Sequence, residues 1–304
     1  MNIKSEMYDV IMRVLYKKKK YELEYWRIYH KRGNILNPRR LTEKLFWMTR
    51  YNEIYNKDLI RRIYDKYTVR EYVKEKGLEK ILIPMIGVYN SVEDIDFEKL
   101  PNEFILKTTQ SSGENIICKD KNNIDIVGIK NKMGMWLSNN NRSRNSGLFN
   151  YYYTNNKKII CEELLKDENE NIPNDLRICC CNGKPKFIYC DLESVDENMN
   201  KKKEYYRECF DLEWNYLDVD FYKRERKNKK KAFTEKPDNL EEILELSSIL
   251  SKDFLFVRVD FYNVNGKVYF GELTPVPGLA GGFSPDEYDY LFGDMLELPD
   301  ADIF

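Results

Sequence analysis

Residues Phe256–Gly278 read FVRVDFYNVNGKVYFGELTPVPG. Two runs rich in β-branched and aromatic residues flank Asn265-Gly266, a strong local signal for a two-residue hairpin turn. Side chains alternate along a strand, so Val257, Val259 and Phe261 share one face while Arg258 and Asp260 take the other. The second run carries Glu272. A strict two-residue turn pairs Asp260 with Gly271, which sends Glu272 to the wrong face. If both acids serve one ion, the hairpin must contain a bulge or a longer loop, and such an irregularity is expected here. Alone, the stretch also reads as an edge hairpin whose charges face water.

Three upstream stretches bear on that choice. In FILKTTQSSGENIICKD (104–120), Lys107 ends an apolar strand and the small residues Ser111-Ser112-Gly113 follow. A lysine beside accessible backbone amides suits a phosphate. In IICEELLKDENE (159–170), an apolar strand runs into Glu162-Glu163-Leu164-Leu165, a connection able to offer backbone groups to an adenine edge and a carboxylate to a ribose. In NDLRICCCNGKPKFI (174–188), Asp175 and Arg177 alternate with apolar residues before a second Asn-Gly turn. Arg177 therefore shares a face with Cys179.

The rest of the chain frames these pieces. Residues 3–30 show an approximate 3.6-residue apolar period and read as a helix, with lysines at 17–20 near its middle. A helix packed on the rest of the protein and a helix lying on a membrane surface both fit that pattern. A second helix is expected from Thr42 as N-cap, and a third from Asp65 to about Gly77. Strands are expected in ILIPMIGVY and FILKTTQ, a helix in IDIVGIKNKMGMWLSNN, a loop over 138–147, a charged irregular excursion over 191–232, and a helix over 240–250. Helices followed by mixed strands and two Asn-Gly hairpins make an α+β pattern with antiparallel sheets rather than repeated βαβ units. The expected divisions are an N-terminal helical segment (1–78), a smaller lobe (79–160) and a larger lobe with the acidic hairpin (161–304).

Composition excludes several functions. Fifty basic residues against 51 acidic ones leave no global field for nucleic acid, so no such partner is expected. One histidine, His30, argues against histidine-based metal or triad chemistry. Seven cysteines, three of them consecutive at 179–181, fit reduced half-buried thiols rather than a disulfide framework. No apolar run reaches the roughly 18 residues that span a bilayer. No signal-peptide pattern opens the chain, so a cytoplasmic location is expected. Neither a GxGxxG nor a GxxxxGK[ST] pattern is present.

In order, the chain offers a lysine loop, an acidic connection, a D-x-R hairpin and R-V-D…E-x-T. That order resembles ATP-grasp enzymes. Together LTEKLFW, DKYTVREYV, ILIPMIGVYNSVEDIDFEKLP, NIICKDK, NGKPKFI, FVRVDFYNVNGKVYFGELT and FSPDEYDY resemble the TupA-like ATP-grasp family over residues 35–300, a family associated with polysaccharide and teichuronopeptide synthesis. The resemblance implies two α+β lobes holding ATP. It places Lys107 and the loop Ser111, Ser112, Gly113 and Asn115 on the phosphates. The backbone at Glu162, Glu163 and Leu165 meets adenine, and Glu168 or Glu170 the ribose. Asp260, Glu272 and Thr274 take Mg²⁺, Arg258 a developing anion, and Arg177 a phosphate or an acceptor carboxylate. The implied reaction is ADP-forming amide ligation through an acyl phosphate on a uronic-acid or amino-acid-bearing glycan, with peripheral contact to membrane-linked polymer machinery. A glycan phosphotransferase, a glycosyltransferase and an ATP-free glycan-binding module stay open. The chain departs from the family pattern at Gln110, in place of a histidine, and at Ser111 and Glu114, in place of glycines. Thr274 stands in place of an asparagine. Glu114 adds a negative charge beside the expected phosphates, which costs binding unless it points away.

Overall fold

The computed structural model describes residues 16, 19–138, 152–154, 156–192, 202, 205–221, 234–277, 282–301 and 303. The main sheet has six strands in the order β11-β10-β5-β6-β7-β8, all pairings antiparallel. These are β5 (Asp175–Cys181), β6 (Lys184–Leu192), β7 (Tyr206–Phe210), β8 (Tyr216–Leu217), β10 (Phe256–Val264) and β11 (Lys267–Thr274). Both Asn-Gly turns form with two consecutive positive φ values: Asn182 49° and Gly183 75°, then Asn265 51° and Gly266 79°. That geometry is the hairpin turn whose twist matches its strands.

The two faces of this sheet bury different helices. Ile178, Cys180, Val257, Val259 and Phe261 pack beneath α3 (Lys57–Tyr64), α4 (Val69–Glu75) and α6 (Leu240–Ser251), through Ile60, Val73, Ile243 and Leu250. Cys179, Cys181, Phe187, Tyr189 and Phe256 pack on the other side against α2 (Leu41–Tyr55) and α7 (Glu287–Asp294), through Leu45, Met48 and Phe292. The consecutive cysteines thus divide between two cores, as strand alternation requires. All seven thiols are buried and none forms a disulfide. Burial pushes those of Cys180 and Cys181 up to about 12, which leaves them inert.

A second sheet of four antiparallel strands, β1-β4-β2-β3, joins β1 (Met85–Tyr89), β2 (Phe104–Thr108), β3 (Asn115–Cys118) and β4 (Ile159–Glu162). Its core includes Met133 of α5 (Ile126–Ser138), the helix expected there. β4 belongs wholly to this sheet, so the smaller lobe extends to Glu162 and the division at 160/161 falls inside a strand. Within the expected segment 1–78, α2, α3 and α4 pack into the cores of the larger lobe. A small pair, β9 (Asp220–Phe221) with β12 (Phe283–Ser284), lies beside α7.

Two further expectations change. The stretch 191–232 is not irregular throughout, since β7 extends the main sheet by pairing with β6. Residues 193–201, 203–204 and 222–233 of it lie outside the described residues, as do 1–15 and 139–150. Thr42 is inside α2 rather than its N-cap: its hydroxyl donates to Asp289 Oδ2 (2.7 Å) and its amide to Oδ1 (2.9 Å). Glu43 does the capping instead, with Oε2 accepting the amides of Arg39 and Arg40. The described part of the first helix, α1, covers 19–29, and Tyr25 and Tyr29 bury its inner face against Phe46 of α2.

Candidate functional site

The acidic hairpin does break register. Phe261 pairs with Phe270, but Asp260 pairs with Glu272, so Gly271 is the extra residue of a bulge. The bulge turns Glu272 onto the face of Asp260. Arg258 lies between them: Nε and Nη2 donate to Asp260 Oδ1 and Oδ2 at 2.5 Å each, and Nη2 also reaches Glu272 Oε1 at 2.6 Å. The Thr274 hydroxyl donates to the same Glu272 oxygen at 3.1 Å.

The charges continue across neighbouring strands. On β5, Arg177 donates to Asp175 at 2.6 Å and to Asp191 of β6 at 2.5 Å, and its Nε stands 3.4 Å from Asp260 Oδ2. On β7, Arg207 binds Asp191 through Nε (2.5 Å) and Nη2 (2.8 Å), with its guanidinium 4.5 Å over the Tyr189 ring. Three guanidiniums therefore face four carboxylates along one end of the sheet, leaving one negative charge in excess.

This arrangement tunes the two acids in opposite directions. Burial pushes the Asp260 carboxyl up to about 7, against the pull of Arg258 and Arg177. Desolvation opposes the charge on Glu272 as well, yet Arg258, Lys66 and Arg177 hold its carboxyl at about 2. Glu272 keeps 46% of its side chain exposed and Asp260 only 5%. Two hard carboxylates and a hydroxyl on adjacent strands suit Mg²⁺, which takes one or two protein carboxylates and fills the rest of its octahedron with phosphate and water oxygens. Among the described residues no group of three or more His, Cys, Asp or Glu is placed to hold a metal ion by itself.

Across from the hairpin, Lys107 Nζ lies 2.8 Å from Glu162 Oε2. Glu162, expected to serve through its backbone, has a buried carboxylate clamped between Lys107 and Arg70, whose Nη1 donates at 3.0 Å. Its backbone is taken up in β4, opposite Met85 and Ile105. Glu163 is exposed with its amide bonded to Pro84 O, and Leu165 is half-buried in the connection that follows. Glu168 and Glu170 are exposed, and Glu170 pairs with Lys166 at 2.5 Å.

The loop after Lys107 is anchored at one end and free at its tip. Gln110 is buried, donating to Asp65 (3.0 Å) and Thr154 (2.6 Å) and accepting the Thr154 amide (2.9 Å). The Ser111 hydroxyl contacts that of Thr108 at 2.5 Å. Ser112 and Gly113 are exposed, and Gly113 has φ 77° with open space where a Cβ would stand. Asn115 opens β3 opposite Lys107. Glu114 is held within the loop: Oε2 accepts from Thr108 (2.5 Å) and from Lys157 Nζ (2.8 Å), and the carboxylate also accepts from the Ser111 side chain. Burial opposes its ionisation, but Lys157 and Thr108 hold the carboxyl below the usual range.

Lys66, which sequence reasoning passed over, connects the two halves. Its ammonium donates to Ser111 O and senses Glu272, Lys107, Asp65 and Glu162, while burial lowers its basicity. Arg70 was equally hidden. Both lie in DKYTVREYV, where local pattern reads only as a charged helix start.

A family model described as TupA-like ATPgrasp matches residues 43–297. A D-alanine–D-alanine ligase of Helicobacter pylori is 22% identical over 228 residues, 74% of this chain and 54% of the relative, so the chain spans about half the length of that relative. A solved D-alanine–D-alanine ligase from Bacillus anthracis superposes with a TM-score of 0.44 at 17% identity, covering 72% of this chain and 58% of the other. D-cycloserine synthetase DcsG gives 0.41 at 11% identity, covering 79% and 72%. These structural likenesses are distant. The family match runs from the first turn of α2 to just beyond α7, and so takes in both sheets, the lysine loop and the bulged hairpin: the chain belongs to the TupA-like ATP-grasp family.

Proposed function

We propose that this protein is an ATP- and Mg²⁺-dependent carboxylate–amine ligase acting on a surface polysaccharide that carries uronic acids or amino acids. The observation that carries the reading is the bulge pairing Asp260 with Glu272 around Arg258. Asp260, Glu272 and Thr274 would hold Mg²⁺, which when bound neutralises charge on the phosphates. That leaves Arg258 and Arg177 with fewer anionic partners and free to pair with substrate oxygens. Lys107 and Lys66 take phosphate oxygens beneath the loop Ser111–Asn115, and the connection at Glu162, Glu163 and Leu165 lies along adenine.

In the proposed reaction an acceptor carboxylate oxygen attacks the γ-phosphorus and ADP departs, giving an acyl phosphate. An amine then attacks the acyl carbon, phosphate leaves and the amine loses a proton. Arg258 and Arg177 stabilise the charge that develops on the transferring phosphoryl group and on the tetrahedral carbon.

The test is nucleotide turnover with pooled amino acids and uronic-acid glycans. ADP and phosphate with an amide product are expected. AMP formation overturns the reading. ADP with a phosphorylated glycan and no amide turns it into a phosphotransferase.

A further inference from the structure

The inner face of α1 is fixed to the larger lobe. Tyr25 is fully buried, shares a hydrogen bond with the Thr42 hydroxyl at 2.9 Å and stands edge-on to Phe46. The outer face is unusual in two respects. Tyr16, Leu23 and Trp26 are 74%, 60% and 50% exposed. Leu23 and Trp26 are three residues apart on α1, which places them on one helical stripe. Lys19, Lys20 and Arg27 share that stripe, three or four residues from Leu23. All three are exposed, and none forms an ion pair among the described residues. The acids of the segment, Glu22 and Glu24, are half-buried and flank the stripe rather than lie on it. A helix face kept for water normally mixes both signs and omits large apolar residues.

We propose that this face docks on an anionic lipid surface, with Leu23 and Trp26 entering the interface and Lys19, Lys20 and Arg27 meeting the headgroups. Trp and Leu entering the interface, with Lys and Arg beside them at the headgroups, are the residues that interfacial helices use. The stripe carries cations and no acid, so the surface it complements is negative. No described helix is long and apolar enough to cross a membrane, so the contact is peripheral. The loop after α1 adds two more exposed residues of the same kinds, Arg32 and Leu36. This inference does not rest on the ligase reading, and its test needs no nucleotide.

The experiment is co-sedimentation of the full chain with vesicles of phosphatidylcholine alone and of phosphatidylcholine with phosphatidylglycerol. Binding to the anionic vesicles only, weakening as salt is raised, is expected. Each basic residue near such a surface contributes about fivefold in partitioning. The triple variant K19E/K20E/R27E should therefore lose at least about a hundredfold, and L23E/W26E should detach as well. Circular dichroism and thermal melting confirm that the variants fold, since every substituted side chain is exposed. No binding to anionic vesicles at low salt overturns the proposal. So does equal binding to neutral vesicles, or a dimer in light scattering that L23E/W26E returns to monomer.

Discussion

Asp260 and Glu272 face one another across the β10–β11 ladder because Gly271 is bulged out of it. A Cβ at Gly271 would stand 3.0 Å from the carbonyl oxygen of Asp260, closer than the backbone there can accept without moving. Gly271→Val is therefore expected to cost about 1–3 kcal/mol in urea denaturation. It should also lose the thermal stabilisation given by Mg-ATP, because the two carboxylates no longer converge. Deleting Gly271 removes the bulge but leaves Glu272 directly opposite Asp260 and on its face, so the Mg-ATP shift should survive. An unchanged Mg-ATP shift in the double variant D260N/E272Q would refute the metal assignment.

The hairpin was legible because parity is local. Two acids separated by an Asn-Gly turn cannot share a face without an extra residue, and only the numbers 260, 265 and 272 are needed to see it. Both Asn-Gly turns and α5 were legible for similar reasons. Lys66, Arg70 and Lys157 were not, because each gains meaning only from a partner far along the chain: Ser111 and Glu272, Glu162, and Glu114. β7 was hidden by its charged surroundings. Its five residues, YRECF, alternate correctly, but Arg207 faces Asp191 where an apolar residue would have announced a strand. Thr42 misled because threonine suits an N-cap, whereas here its hydroxyl is claimed by Asp289 of α7.

Arg258 serves two carboxylates at once, so its removal differs from theirs. Arg258→Ala leaves Asp260 and Glu272 adjacent without a cation between them and should cost about 3–5 kcal/mol in chemical denaturation. Arg258→Lys should recover only part of that loss, because an ammonium cannot reproduce the forked bond to Asp260. Full recovery by lysine would mean that charge alone matters here.

Glu114 is held by Lys157, and both side chains are 12% exposed. Lys157→Ala frees a carboxylate beside the proposed phosphates, a cost on the order of 1–2 kcal/mol, or roughly tenfold in the ATP dissociation constant. The double variant K157A/E114Q should bind ATP as the parent does. Titration calorimetry on the parent, K157A, E114Q and the double variant separates a charge effect, which the second substitution cancels, from loop damage, which it does not.

The same pair sets an acid-side stability term. The folded-state pKa of Glu114 lies below its ordinary value, so its contribution is present above about 4.3 and is lost as pH falls through the folded value. Relative to the parent, Glu114→Gln should lose less stability between pH 5 and pH 3, in a window of about two pH units around the ordinary glutamate pKa. Parallel denaturation curves at each pH read this directly, and identical slopes in the two proteins would show that Lys157 is not the partner that matters.

Lys66 is kept against its own electrostatics. Burial lowers its basicity by more than Glu272, Asp65 and Glu162 restore, and Lys107 nearby adds repulsion. A desolvated cation of that kind lowers the stability of the nucleotide-free protein, so Lys66→Met is expected to leave melting unchanged or to raise it. Nucleotide binding should move the other way. Loss of a charge-assisted bond to phosphate costs about 1.5–3 kcal/mol, so affinity for Mg-ATP should fall by at least about tenfold. A variant that melts lower and still binds ATP would reassign Lys66 to holding the Ser111 carbonyl, and with it the loop, rather than a phosphate.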